Sequence, residues 1–278
     1  MSTLDSVLAQ YEKNKQATSG NSNKVSQEDR MKKYFTTVLP KGVKTQEKRI
    51  RILPTKDGSS PFVEVKFHEL QVDGNWLKLY DPAQDGDRSP LNEVAEGLNM
   101  SGVASDKELA RQYRSKKFYI VKVIDRENEQ DGVKFWRFKN NIKGEGVLDK
   151  IIPIWRNKGD ITDPQKGRDL IVTLSLTKSG NGKEYTAVSS VIPEDVGPLH
   201  SDESIAQEWI NDELVWSDVY SKKPVEYLEM VAKGETPRWD SDSKKWVSDS
   251  TAEETIGVSK SSTPDLQDSE DVDSELPF

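Results

Sequence analysis

The chain has 278 residues, room for one large domain with tails or two small ones, and it contains no cysteine, which excludes disulfides, thiolate catalysis and Cys-type zinc sites together. Hydrophobic residues make up 33% and charged residues 32%, too polar a balance for a chain packed along its whole length, so disordered ends are expected. The net charge of −8 conceals a partition: residues 201–278 hold 20 Asp and Glu against 7 Lys and Arg, whereas residues 1–200 hold 33 basic against 28 acidic side chains. No apolar run approaches the roughly 18 residues of a membrane-spanning helix and no signal-peptide pattern opens the chain, so no membrane association is expected.

In chain order, residues 2–15 place Leu4, Val7, Leu8 and Tyr11 at i, i+3, i+4 and i+7. That spacing predicts a short amphipathic helix, marginal alone and therefore expected to dock on something. Residues 16–23 are a Ser/Asn/Gly linker. Residues 24–56 carry ten basic and three acidic side chains, and 49–53 alternate polar and apolar before Pro54, as a strand does. Residues 62–70 and 76–80 flank Asp73-Gly74 as a hairpin. Residues 81–90 read as a polar loop, 91–100 and 106–114 as short helices, and 117–124, 133–139 and 170–177 as strands. Ser179-Gly-Asn-Gly182 forms the tip of a further hairpin returning over 184–192. After Pro193 the spacing turns helical over 204–220 and 224–233, and everything beyond Gly234 reads as disordered. Many short strands with Gly-rich turns and few helices predict a mainly β fold of α+β type, with a small Greek-key barrel or sandwich at its core.

One block carries a chemical signature. Between 111 and 139 the cations Arg111, Arg114, Lys116, Lys117, Lys122, Lys134, Arg137 and Lys139 alternate with Tyr113, Phe118, Tyr119, Phe135, Trp136 and Phe138. Single-strand binding needs cations for phosphates and flat rings for base faces, and neither demands sequence readout. Taken singly, aromatic residues in strands are more often core. Over 117–124 one strand face is Phe118, Ile120, Lys122 and Ile124, and the other, with Tyr119, Val121 and Val123, reads as core. Over 133–139 either face could point outward, so periodicity leaves open which ring stacks. The density of the block, and its opposition to the tail, favour a nucleic-acid surface to which Lys178 is also assigned.

Residues 261–278 carry six side-chain carboxylates, no Lys or Arg, and end Asp-Ser-Glu-Leu-Pro-Phe. By composition this is an ordinary solvating terminus as readily as a functional one. Functionally, its carboxylates can occupy a cationic groove as a polyanion mimic. Asp271, Asp273 and Glu275 with Leu276, Pro277 and Phe278 can also enter an apolar pocket on a partner protein. Enzyme signatures are weak. His68 and His200 are far apart, Gly180-Asn-Gly-Lys183 fails as a phosphate loop because Thr177 and Glu184 stand where Gly and Ser or Thr belong, and Asp81, Asp85 and Asp87 lack calcium-loop spacing. No catalytic residue, cofactor or metal site is expected.

Several segments fall in a telling order: Ile50-Arg-Ile-Leu-Pro-Thr-Lys56 with Pro61-Phe62, Asp73-Gly-Asn-Trp76, Lys107-Glu108 leading to Arg114-Ser-Lys-Lys-Phe-Tyr119, Gly132-Val-Lys-Phe-Trp-Arg-Phe138, Leu148-Asp-Lys-Ile151, and Ile192-Pro193 followed by Asp202-Glu-Ser204. In this ordered set, over roughly residues 48–232, the chain resembles the single-stranded DNA-binding (helix-destabilising) proteins of T-even-like bacteriophages.

The resemblance implies an OB-fold core over 24–232, a self-association arm over 1–23 and an acidic partner-binding tail over 233–278. It also implies cooperative, sequence-nonspecific binding of single-stranded DNA in phage replication, recombination and repair, in the cytoplasm of an infected bacterium, with replication and recombination proteins meeting the acidic terminus. The family's cleft positions fall on Arg51, Lys56, Arg114, Phe118, Tyr119, Trp136, Arg137 and Tyr185, with Phe118 and Trp136 as the stacking rings. A recombination-mediator role with weak DNA contact, or single-stranded RNA binding, would leave the same signature. Two departures stand out. The type member holds zinc with one His and three Cys, whereas here His68 is joined by Tyr80 or Asp81, Ser89 and Asn92, so residues 81–90 must fold without metal. The type member's arm is basic, whereas residues 1–23 are neutral, which points to apolar docking of Leu4, Val7, Leu8 and Tyr11 on a neighbour.

Overall fold

The computed structural model describes residues 32–248 except 73, 141–145, 179–181, 183 and 221. The arm residues Leu4, Val7, Leu8 and Tyr11 and the terminal residues 261–278 lie outside the described residues. Seven antiparallel strands form one sheet: β1 Thr45–Ile52, β2 Val63–Val72, β3 Asn75–Tyr80, β4 Lys116–Asp125, β5 Val133–Phe138, β6 Arg168–Lys178 and β7 Glu184–Val196. The hydrogen-bonded order is β3-β2-β4-β1-β6-β7, with β5 on the remaining edge of β4. Strand β4 is the hub. It pairs with β2 through Lys116–Ile120, with β1 through Val123–Asp125 and with β5 through Tyr119–Ile124. The expectation of a mainly β fold with flanking helices is met.

Both faces of the hub are covered, for different reasons. On one face Val121 and Val123 of β4 meet Ile50 and Ile52 of β1, Trp136 and Phe138 of β5 and Leu170, Val172 and Leu174 of β6 in a single core. Strands β5 and β6 do not pair, yet their side chains share this core, so the sheet curls around it. Helix α3 (Val147–Lys158) closes it with Val147 and Ile151. On the other face Val65, Phe67, Tyr80, Phe118, Ile120 and Phe135 pack beneath Trp216, Val219 and Tyr220. The two-residue period of the strands sends alternate side chains to each core. At the β2–β3 end, α1 (Pro90–Met100) and α6 (Val225–Ala232) bury Leu70, Leu77 and Leu79 beside Leu91, Tyr227, Leu228 and Val231. Helix α2 (Ala104–Tyr113) follows α1, and α4 (Glu203–Asn211) places Ala206 and Trp209 against Leu53, Ile124 and Val133.

The β2–β3 hairpin turns at Gly74, whose φ of 83° is a conformation that a side chain would strain. Three elements depart from expectation. Helix α3 carries Pro153 in its interior, which removes one helical hydrogen bond and hid the helix from periodicity reasoning. The helix foreseen over 204–220 is split into α4 and the short α5 (Trp216–Val219), because Asp212 adopts ψ 122° and turns its carboxylate back onto the Leu214 amide. Part of the stretch expected to be disordered is a hairpin of β8 (Pro237–Asp240) and β9 (Lys245–Ser248). Its Trp246 packs edge-on against Tyr227 of α6 at 4.8 Å. That ring contact gives an apolar anchor to a stretch whose composition looks solvated.

Candidate nucleic-acid interface

The outer face of β3-β2-β4-β5 changes character along its length. Phe67 and Glu69 of β2, Lys78 and Tyr80 of β3, Lys116 and Phe118 of β4, and Arg137 and Lys139 alternate on four neighbouring strands, so their side chains share one face. The apolar half, Phe67, Tyr80 and Phe118, lies under Trp216 and Tyr220; Trp216 stacks on Tyr80 at 5.5 Å and 29°. The polar half is a bowl. Glu69 (11% exposed) and Lys78 (6%) form its floor, and Lys116 (40%) and Lys139 (46%) stand at its rim. The Glu69 carboxylate meets Lys78 at 3.7 Å, Lys116 at 3.2 Å and Lys139. Arg137, Lys78 and Lys139 surround the Phe118 ring at 5.7, 5.9 and 5.1 Å from its centre, and Arg137 also lies 4.5 Å from the ring centre of Tyr220.

The electrostatics of the bowl follow from this crowding. Burial, reinforced by Arg137 and Lys139 and only partly opposed by Glu69, pushes the Lys78 ammonium down to about 5. Burial also lowers Lys139 against the pull of Glu69. For Glu69 itself, burial acts to raise the carboxyl, but Lys139, Lys78 and Lys116 outweigh it and hold the group below its ordinary value.

Several residues expected to touch DNA have other work. Trp136 is wholly enclosed in the inner core, edge-on to Phe35 at 5.7 Å, and Phe118 is buried edge-on to Phe67 at 5.5 Å. Neither offers a face to a base, because both sides of β4–β5 are covered. Arg51 is buried and bonds Asp169 Oδ1 at 3.3 Å, Asp163 O at 2.9 Å and Gly197 O at 3.0 Å. Lys134 is buried between Asp125 (3.1 Å) and Asp131 (2.9 Å), and Lys122 is held by Asp212 at 3.1 Å. These three cations are internal counter-ions. Lys56 is exposed and donates to Asn211 O, Arg111 pairs with Glu108, Lys117 pairs with Glu64, and Arg114 is exposed just after α2. Lys178 and Tyr185 are exposed near the β6–β7 tip, on strands separated from β4 by β1. The structure thus gathers Lys116, Phe118, Arg137 and Lys139 and leaves the others dispersed. Sequence reasoning missed Lys78 and Glu69; their one visible signal was direct opposition across the predicted hairpin.

Half-buried rings do exist at the mouth of the inner core. Tyr119 stacks on Phe138 at 6.1 Å and 27°, and Phe62 lies 6.2 Å from both Phe138 and Trp155 of α3.

The region where the resembling family holds zinc is a hydrogen-bonded node. His68, Asp81 and Ser89 are buried, and Asn92 is half-buried beside them. His68 Nδ1 lies 2.6 Å from Tyr113 O, and its Nε2 lies 3.4 Å from both Asp81 Oδ1 and Ser89 Oγ. Asn92 Nδ2 donates to both Asp81 oxygens at 3.0 and 3.1 Å, and the Ala83 amide donates to Oδ1 at 3.1 Å. Burial acts to raise the Asp81 carboxyl, yet hydrogen bonds from His68, Ser115, Asn92 and Ser89 hold it far below its ordinary value. A carboxamide and a hydroxyl replace two thiolates, and the one carboxylate is saturated by donors, so the set does not fit zinc. Among the described residues no group of three or more His, Cys, Asp and Glu is placed to hold a metal. Treating the protein with EDTA is expected to leave its Tm unchanged in a thermal melt; a fall on chelation, restored by zinc, would contradict the metal-free node.

The fold is a curled antiparallel sheet that carries a cluster of cations on one face. The chain belongs to the family described as gp32 DNA binding protein like, whose match covers residues 44–234, from β1 to just past α6. That is a family of DNA-binding proteins and not of enzymes. No curated protein matches the chain. Among the described residues no helix is long and apolar enough to cross a membrane.

Proposed function

We propose that this protein binds single-stranded DNA without sequence preference, using an OB-fold core, and acts in phage replication, recombination and repair within an infected bacterium. The observation that carries the reading is the family match over the whole β-core, the segment that contains the cation bowl. The half-exposed rings Tyr119, Phe62 and Trp155 are the stacking surface in this reading, in place of Phe118 and Trp136. Residues 1–23 provide self-association on DNA through Leu4, Val7, Leu8 and Tyr11. The acidic terminus recruits replication and recombination proteins and competes with DNA for the cations.

The test is a titration of oligo-dT at several salt concentrations. Affinity is expected to fall by about 0.7 log units per log unit of salt for each phosphate neutralised. Absence of binding at low salt would overturn the proposal, and a ribo-oligomer bound better than its deoxyribo counterpart would redirect it to RNA. Tyr119→Ala is expected to cost about 1–3 kcal/mol of binding for the base it stacks, read in the same titration. An unchanged affinity would remove Tyr119 from the interface.

A further inference from the structure

The bowl of Glu69, Lys78, Lys116, Arg137 and Lys139 has the build of a discrete phosphate site. We propose that it seats one backbone phosphate of the bound strand, with Lys116 and Lys139 as the rim, Lys78 as the floor and Glu69 as an internal counter-ion that the phosphate displaces. The proposal rests on the single-strand-binding reading and deepens it by naming a subsite.

Four features support it. Lys78 and Glu69 face each other across β2 and β3, so the carboxylate is fixed by sheet register and not by a flexible loop. The rim lysines stand on the hub strand β4 and immediately beyond the end of its partner β5, and both reach the same carboxylate oxygen, Glu69 Oε2. Two ammonium groups converging on one oxygen from the open side form the geometry in which a phosphate oxygen could stand. Beside that floor lies the buried Phe118 ring, with Lys78, Arg137 and Lys139 all within 5.9 Å of its centre, and a buried apolar neighbour strengthens any ion–ion contact next to it. Finally, Lys78, with 6% of its side chain exposed, shares the Glu69 carboxylate with two other lysines, so that one buried carboxylate faces three ammonium groups.

The chemistry recognised is a phosphate mono- or diester oxygen, available from nucleic acid or from free inorganic phosphate, and the experiment separates the two. The full chain is titrated with oligo-dT across a salt series, alongside Lys78→Met, Lys139→Ala and Glu69→Gln, with a thermal melt of each. Lys139→Ala is expected to weaken binding and to make the salt slope shallower by about 0.7. Glu69→Gln, which removes the competing anion without changing shape, is expected to tighten binding severalfold. Lys78→Met is expected to keep or raise Tm while weakening binding, the split that a purely structural lysine would not give. A Lys78→Met protein of equal or higher Tm with unchanged affinity would overturn the site, and so would a folded Glu69→Gln protein that binds no tighter. If inorganic phosphate raises the Tm of the unaltered protein but the variants bind oligo-dT as it does, the site takes free phosphate and the assignment to DNA backbone fails. Should the unaltered protein itself ignore oligo-dT, the broader functional reading falls first; if it binds and only the variants are silent, the subsite alone is wrong.

Discussion

Arg51→Ala is expected to lose about 3–5 kcal/mol of folding stability, a loss of architecture before any loss of DNA contact. Arg51 lies within β1 and points away from solvent into a junction where Asp169 accepts from Arg51 at 3.3 Å and from Arg126 at 2.8 and 2.9 Å and forms an ion pair with Arg49 at 3.4 Å. Its guanidinium also binds the carbonyls of Asp163 and Gly197, tying β1 to the loop before β6 and to the chain leaving β7. Burial pushes the guanidinium below its ordinary range, but Asp169 counters this, and a guanidinium does not deprotonate in proteins. Truncation would leave Asp163 O with the Gly167 amide as its donor, remove the guanidinium donor from Gly197 O, and open a void beside β1. Gly167 belongs to the same junction, since a Cβ there would overlap Asp163 O and the Arg51 guanidinium, so Gly167→Ala should lower Tm as well. Chemical denaturation with an oligo-dT titration below the midpoint separates the possibilities. An Arg51→Ala protein of undiminished stability with weakened DNA binding would return Arg51 to the interface.

Trp136→Ala is expected to cost about 3–5 kcal/mol of stability, the range for deleting a large buried aromatic side chain. The ring has no exposed surface and packs against Phe35 and Phe138, with ring centres 5.7 and 4.8 Å away. Its neighbours come from β1, β4, β6 and α3, so the cavity would lie in the middle of the core around which the sheet curls. Trp136→Phe keeps most of the volume and is expected to fold, with a smaller loss and with oligo-dT affinity close to that of the unaltered protein. A Trp136→Phe protein of normal Tm that binds markedly more weakly would show that the indole meets a base after all.

These two outcomes mark the boundary of what periodicity can say. The positions of β1 to β7, the turn at Gly74 and the helices α1, α2 and α6 were legible because apolar spacing and turn chemistry are local properties. Helix α3 was not, because Pro153 breaks the local signal while Val147 and Ile151 are held by a distant core. The β8–β9 hairpin was hidden for a related reason: Trp246 looks isolated along the chain and becomes a core residue only when α6 presents Tyr227. The candidate site divides the same way. Lys116, Arg137 and Lys139 stood out as cations on aromatic-rich strands. Their shared partner Glu69 and the buried Lys78 belong to another hairpin, and only their opposition across it hinted at them.

By itself the sequence determined the class of fold, the concentration of cations and rings between 111 and 139, the absence of thiol chemistry and the kinship with a DNA-binding family. Only the tertiary structure decided which side of each strand faces water. An alternating strand states that its two faces differ, but whether Trp136 or Lys139 meets solvent depends on what packs against each face. Here the curl of the sheet covers one side and the segment carrying Trp216 and Tyr220 covers part of the other. The same cation type accordingly serves as a buried counter-ion at Arg51 and Lys134 and as an open rim at Lys116 and Lys139. That difference is set by the dielectric and the partners around each charge, which strand pairing over long sequence separations supplies and no local pattern encodes.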